Sequence, residues 1–219
     1  MAYGETMKKL SPCPSALVIG TLLDAAGAPG RLLDAGCGRG ERLADLRRAL
    51  PETALSGIDR DEINAAAALQ CCPGAEIATG DVCALPWGDG AFDAALCECT
   101  LSLIDAPEAC LAELFRVLRP GGTLLLSDLC TAAPASEREL LSPDGAVRYL
   151  ASRRWTEAAA ENAGFRIRSF RDCREEYLTM AAQMIFDGGA CCLAPGVFAA
   201  LRQRRAGYGM WVLERGETK

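Results

Sequence analysis

The chain has 219 residues, half of them apolar and about a quarter charged, with twelve cysteines, no histidine and a net charge of −6. That is enough chain for one domain with a substantial core. The acidic balance, with only 202–207 locally basic, excludes the clustered Lys and Arg that phosphate-backbone binding needs, so no nucleic-acid partner is expected.

In chain order, residues 14–27 place Leu17, Val18, Leu22 and Leu23 at helical spacing after Pro14-Ser15, and residues 1–29 read as an N-terminal helical cap. This apolar stretch is interrupted by Asp24 and lacks a cleavage pattern. No stretch reaches the roughly 18 apolar residues of a membrane span. A cytoplasmic protein with reduced thiols and no membrane partner is therefore expected.

"RLLDAG" (31–36) then reads as a buried strand, 40–50 as a helix, "ALSGID" (54–59) as a second strand and 61–70 as a second helix. Strands follow near 75–78 and at 92–98, then a helix over 107–118 closed by "RPGG" and a fifth strand at 123–129. A helix over 155–165, a strand at 166–173 and a final strand at 208–215 complete the pattern. Strands alternating with ten-residue helices predict an α/β fold, a doubly wound, seven-stranded, mostly parallel sheet in a single domain over 1–219. Residues 174–206 form a helical insertion before the last strand, placed to act as a substrate cover.

The strongest local signal is "LLDAGCGRGERL" (32–43), where Gly36, Gly38 and Gly40 follow a strand and open a helix. Such a turn lets backbone approach a ligand closely, beside the free N–H groups of a helix N-terminus. A nicotinamide dinucleotide fingerprint places its third glycine at position 41, which is Glu41 here.

The pattern Asp34-x-Gly36-x-Gly38-x-Gly40 resembles motif I of class I S-adenosylmethionine-dependent methyltransferases, of the small-molecule, type-11-like branch. The resemblance implies a Rossmann-like methyltransferase fold, S-adenosyl-L-methionine as cofactor and a small-molecule methyl acceptor. It implies cofactor contacts from Asp34, Gly36, Cys37, Gly38 and Gly40, from Asp59 on both ribose hydroxyls, and from Arg60. In "TGDVCALPWGDGAFD" (79–93), Asp81 and the Val82 backbone would hold the adenine. "LAELFRVLRPGGTLLLSD" (111–128) is similar to the family's helix, turn and fifth-strand signature.

The cysteines pose the open question. Cys97 and Cys99 flank Glu98 at the end of the fourth strand, beside the expected methyl position, and strand alternation would put both thiols on one side. Cys97 is counted with the cofactor contacts, and Glu98, Cys97 and Cys99 are the candidate catalytic residues, with Asp128 and Tyr149 as further candidate bases. Thiols clustered there suit a soft acceptor, a thiol or a metalloid. The competing readings are core packing by small apolar residues, and a non-catalytic donor-binding or thiol-based metal sensor module. The paired knuckles of a structural zinc site are absent, and no metal is expected.

Overall fold

The computed structural model describes residues 13–131, 138–140, 147–186 and 206–216. The first helix, α1 (Ser15–Ala26), precedes β1 (Arg31–Ala35), α2 (Glu41–Ala49), β2 (Ala54–Asp59), α3 (Glu62–Cys71), β3 (Glu76–Thr79) and β4 (Phe92–Glu98). A 3-10 turn over Leu101–Leu103 leads to α4 (Pro107–Val117) and β5 (Leu118–Thr131). Then come β6 (Arg138–Leu140), β7 (Tyr149–Ser152), α5 (Arg153–Asn162), β8 (Phe165–Asp172), α6 (Arg174–Phe186) and β9 (Ala206–Arg215).

The main sheet runs β3-β2-β1-β4-β5-β9-β8, parallel from β3 to β5 and antiparallel where β9 enters between β5 and β8. This is the expected doubly wound, seven-stranded sheet. Two short strands escape the sequence reading: β7 pairs with the last residues of β5, and β6 pairs with β7. With three and four residues they are too brief to carry a periodic signal. Of the expected cap and insertion, α1 and α6 are described, while 1–12 and 187–205 lie outside the described residues.

Start signals act locally as the sequence suggests. Asp61 caps α3, its carboxylate accepting from the Ile63 and Asn64 N–H groups at 2.8 and 3.1 Å. Pro107 opens α4, and the Ser152 hydroxyl accepts from the Trp155 N–H at the start of α5.

Alternation along the strands divides the core into two layers. On one side Leu32, Leu96, Leu125 and Met210 pack with Val18 and Leu22 of α1 and Leu43 and Leu46 of α2. On the other, Leu33, Ala95, Leu124 and Trp211 pack with Leu111 and Leu114 of α4 and Ala160 of α5. Among the described residues no helix is long and apolar enough to cross a membrane.

Candidate functional site

In an open parallel sheet, ligands bind beyond the carboxyl ends of the strands. Here that edge is built from the turn after β1, the end of β2, the loop after β3 and the end of β4.

The turn after β1 is held tightly. The Gly36 and Cys37 N–H groups both donate to the Ile58 carbonyl, at 2.8 and 2.9 Å, fastening the loop to β2. Gly36 has φ +78, and a Cβ there would lie 2.4 Å from the Thr100 hydroxyl oxygen. Gly40 has φ +85, and a Cβ there would meet the Ala68 Cα at 2.7 Å. Both positions therefore require glycine on two counts, backbone conformation and space. Cys37 is buried with its thiol in the core, so only its backbone is available to a ligand.

Asp59, at the end of β2, is the hub of this region. Its Oδ2 accepts from the Gly38 N–H at 2.8 Å, and its Oδ1 from the Asp61 N–H at 3.0 Å and the Asn64 side chain at 3.3 Å. A carboxylate offers about four lone-pair directions, so a carboxylate oriented this way retains acceptor capacity for hydroxyl donors. Arg60 is exposed beside it. Asp81 is exposed after β3, its Oδ1 accepting from the Cys83 N–H at 2.8 Å, while Val82 is buried. The loop that follows is tied to α4 by Arg116, which donates to the Leu85 and Trp87 carbonyls and pairs with Glu113 and Asp89.

The end of β4 departs from expectation. Strand alternation fails at Cys99, which takes φ +50, the only positive φ of a non-glycine among the described residues. Cys97 therefore sits fully buried in the α4 layer, whereas half-buried Cys99 packs against the opposite layer, on the side of α1 and α2. The two thiols do not share a side. Cys97 and Cys110 of α4 are buried in the same layer, and the neighbouring Cys97 thiol, with burial, pushes the Cys110 thiol well above its ordinary range. These two sulfurs are core.

Glu98 is equally altered from its expected role. The Arg42 guanidinium grips its carboxylate with Nε at 2.6 Å and Nη2 at 3.3 Å, in a pair whose side chains are 9% and 2% exposed. Burial opposes the charge on Arg42, while Glu98, Asp34 and Asp45 favour it and prevail. A buried carboxylate held bidentately is an electrostatic partner rather than a proton acceptor. Asp34 itself is buried at the end of β1.

A chain of hydrogen bonds ends on the same carboxylate. Tyr208 on β9 donates to the Ser127 hydroxyl at 3.0 Å, and Ser127 donates to Glu98 Oε1 at 3.4 Å. With its own proton committed to Ser127, Tyr208 receives the Cys99 thiol proton across 3.1 Å. Burial, followed by the nearby Cys99 and Glu98, raises the Tyr208 phenol well above its ordinary range. Of these partners, Arg42, Ser127 and Tyr208 were missed by the sequence reading, because nothing in their spacing marks a contact across 29, 56 or 81 residues.

Asp128, a further candidate base, is buried, with its carboxylate accepting from the Ser102 and Leu129 N–H groups. Burial raises its pKa. Beside it, between Ser102, Tyr149, Trp155 and Thr156, is a cavity of about 10 Å³, room for one water and not for an organic acceptor. Tyr149 points away from chemistry, donating to exposed Asp105 at 2.8 Å. Among the described residues no group of three or more Cys, Asp or Glu side chains is arranged to hold a metal ion.

A family model described as a methyltransferase domain matches residues 33–126. An uncharacterized 37.1 kDa transposon protein of Streptomyces fradiae is 38% identical over 49% of this chain and 33% of its own length. The fatty-acid O-methyltransferase of Mycolicibacterium smegmatis is 33% identical over 56% of this chain and 46% of its own. The chain thus spans less than half the length of these curated relatives. Among solved structures, geranyl diphosphate C-methyltransferase from Streptomyces coelicolor superposes with a TM-score of 0.73 at 19% identity, covering 92% of this chain and 77% of that one. That likeness is one of fold.

Proposed function

On the premise that this is a class I S-adenosylmethionine-dependent methyltransferase domain, we propose that the chain is an enzyme transferring a methyl group to a small-molecule acceptor. The observation that carries the reading is the joint made by the glycine turn and Asp59, in which a ligand-approaching loop is oriented on a carboxylate with acceptor capacity to spare. Asp59 would take the ribose hydroxyls, Asp81 and Val82 the adenine, and the turn from Gly36 to Gly40 would pass beneath the amino-acid end. When bound, the cofactor supplies an electrophilic methyl group on a sulfonium sulfur.

The protein's share of the reaction is alignment and exclusion of water. The Arg42–Glu98 pair fixes the start of α2 against the end of β4, so the glycine turn and the Cys99 corner hold a constant separation. Glu98 being engaged, a soft acceptor that attacks without losing a proton suits the site better than an alcohol needing a base.

Titration calorimetry with S-adenosylmethionine and its demethylated product tests the cofactor assignment. Asp59→Ala removes two hydrogen bonds to a charged group, each of about 1.5–3 kcal/mol, and should weaken binding at least tenfold while circular dichroism shows a folded chain. Unchanged affinity would sink the assignment.

A further inference from the structure

Beyond the glycine turn and Asp59, one side-chain cation sits in a surround that cofactor binding does not use. Arg138 on β6 stands opposite Ala151 of β7, which places its side chain diagonally over Tyr149. The guanidinium carbon lies 3.5 Å from the Tyr149 ring centroid and 5.6 Å from that of Trp155. Its Nη1 donates to the Asp105 carbonyl at 3.2 Å and its Nη2 to the Ile104 carbonyl. We propose that these two rings and two carbonyls form a receptor for a cationic N–H group of the methyl acceptor, a guanidinium or a primary ammonium. Arg138 is its resident occupant, displaced when the acceptor arrives. The receptor stands on these contacts alone; only the identity of its guest as the acceptor rests on the methyltransferase reading.

The receptor groups all present negative potential to the guest. An aromatic face attracts a cation within about 6 Å of its centroid, and the two backbone carbonyls accept its N–H groups. Among the described residues no carboxylate pairs with Arg138. The nearby Asp105 side chain is turned instead to Arg148 at 2.6 Å and to the Tyr149 hydroxyl at 2.8 Å. The guanidinium is therefore held by neutral groups, and burial lowers its pKa although Tyr149, Glu108 and Asp105 favour the charge. A guest with the same charge and the same kind of donor replaces these contacts one for one.

Its place in the fold suits an acceptor. Arg138, Tyr149 and Trp155 line one cavity with Leu101, Ser102 and Asp128, from the carboxyl ends of β4 and β5. One residue before Leu101, Thr100 packs on the glycine turn, where its hydroxyl is what a Cβ on Gly36 would strike. With Arg138 in place the cavity has about 10 Å³; withdrawing the guanidinium makes the room an organic group needs. The occupant is also the less anchored part. Three-residue β6 pairs only with β7 among the described strands, whereas the Arg148 N–H beside Tyr149 donates to the Ser102 carbonyl at 3.0 Å and the Trp155 N–H to the Ser152 hydroxyl. Rotation of the half-buried Arg138 side chain is enough to vacate the receptor. A guest held as a protonated cation has no lone pair to give at that group, so it anchors the acceptor while another atom attacks the methyl group.

Methylguanidinium is the probe, titrated into the full chain while the Trp155 indole N–H resonance is followed, with the amide spectrum confirming a folded chain. In Arg138→Ala the shift should saturate, at a probe concentration about tenfold or more below that needed by the unmodified chain, where Arg138 competes. Adding Tyr149→Leu should remove the binding. Tetramethylammonium, which has no N–H to donate, should bind Arg138→Ala about tenfold or more weakly. No saturable shift in Arg138→Ala, binding undiminished by Tyr149→Leu, or equal affinity for tetramethylammonium would each overturn the proposal. The unmodified chain answers even if Arg138→Ala fails to fold: excess probe should move the Arg138 Nε–H resonance to the position of a solvated arginine, and a resonance that stays put overturns the proposal. Calorimetry with the methyl donor on the same samples keeps the two readings apart. Probe binding without donor binding refutes only the methyltransferase reading, whereas donor and probe excluding one another overturns the guest as acceptor.

Discussion

Replacing Arg42 with methionine tests the organisation of the site most directly. The substitution keeps the aliphatic bulk and takes the bidentate guanidinium away from the Glu98 carboxylate, which is 2% exposed and keeps its 3.4 Å contact with the Ser127 hydroxyl. Breaking one side of a buried ion pair costs about 3–5 kcal/mol, because the remaining charge is left without its counterion. In a domain of this size each kcal/mol lowers the melting temperature by about 2–4 °C, so a fall of roughly 6–20 °C is expected. Urea denaturation followed by tryptophan fluorescence measures the loss at constant slope. The double variant Arg42→Met, Glu98→Met removes both charges and should recover most of it, since an apolar pair of similar volume is often no less stable than the ions it replaces. A single-variant loss below about 1 kcal/mol, or a double variant no more stable than Arg42→Met alone, would refute the account of a dry, bidentate pair.

Two further outcomes follow from the geometry. Gly40→Ala places a Cβ 2.7 Å from the Ala68 backbone at φ +85, and strain plus overpacking should cost about 2–6 kcal/mol in the same denaturation assay; Gly20→Ala in α1, where nothing lies within 4 Å, should instead gain about 0.5–1 kcal/mol. Glu113 is held below the usual carboxylate range, first by its hydrogen bond from Arg116. Its folded pKa being depressed, its stabilising contribution is present above the unfolded value of 4.5 and is lost as pH falls through the folded one. Glu113→Gln should therefore flatten the acid limb of a stability–pH profile below about pH 4.5, and an unchanged limb would assign that loss to other carboxylates.

The sheet was legible because its strands are continuous apolar runs between helices of regular period, and the glycine turn because its spacing has few structural uses. Element ends agree within a few residues: the expected helix at 107–118 is Pro107–Val117, and the expected strand at 208–215 is Ala206–Arg215. What stayed hidden is of two kinds. The β6–β7 pair is too short for a pattern, and it exists because the end of β5 offers an edge. The Cys97–Glu98–Cys99 corner follows period 2 in sequence and breaks it in space, because a single left-handed residue turns the third side chain to the other layer. Alternation arguments hold only as far as the strand does, and this strand ends at Glu98.

The position of β9 bears on how the chain is made. It is the last strand in chain order, yet it fills the slot between β5 and β8 and pairs with β5 from Thr123 to Thr131. Until residues 206–215 leave the ribosome, that edge of β5 lacks its strand partner, since β4 and β7 pair along the opposite edge, although the folded domain buries β5 from Gly122 to its end. Folding of this domain is therefore completed after translation of its last strand, not progressively along the chain. A nascent chain stalled before Ala206 exposes an open, sticky strand edge, which is the state a chaperone would recognise and an aggregate would grow from.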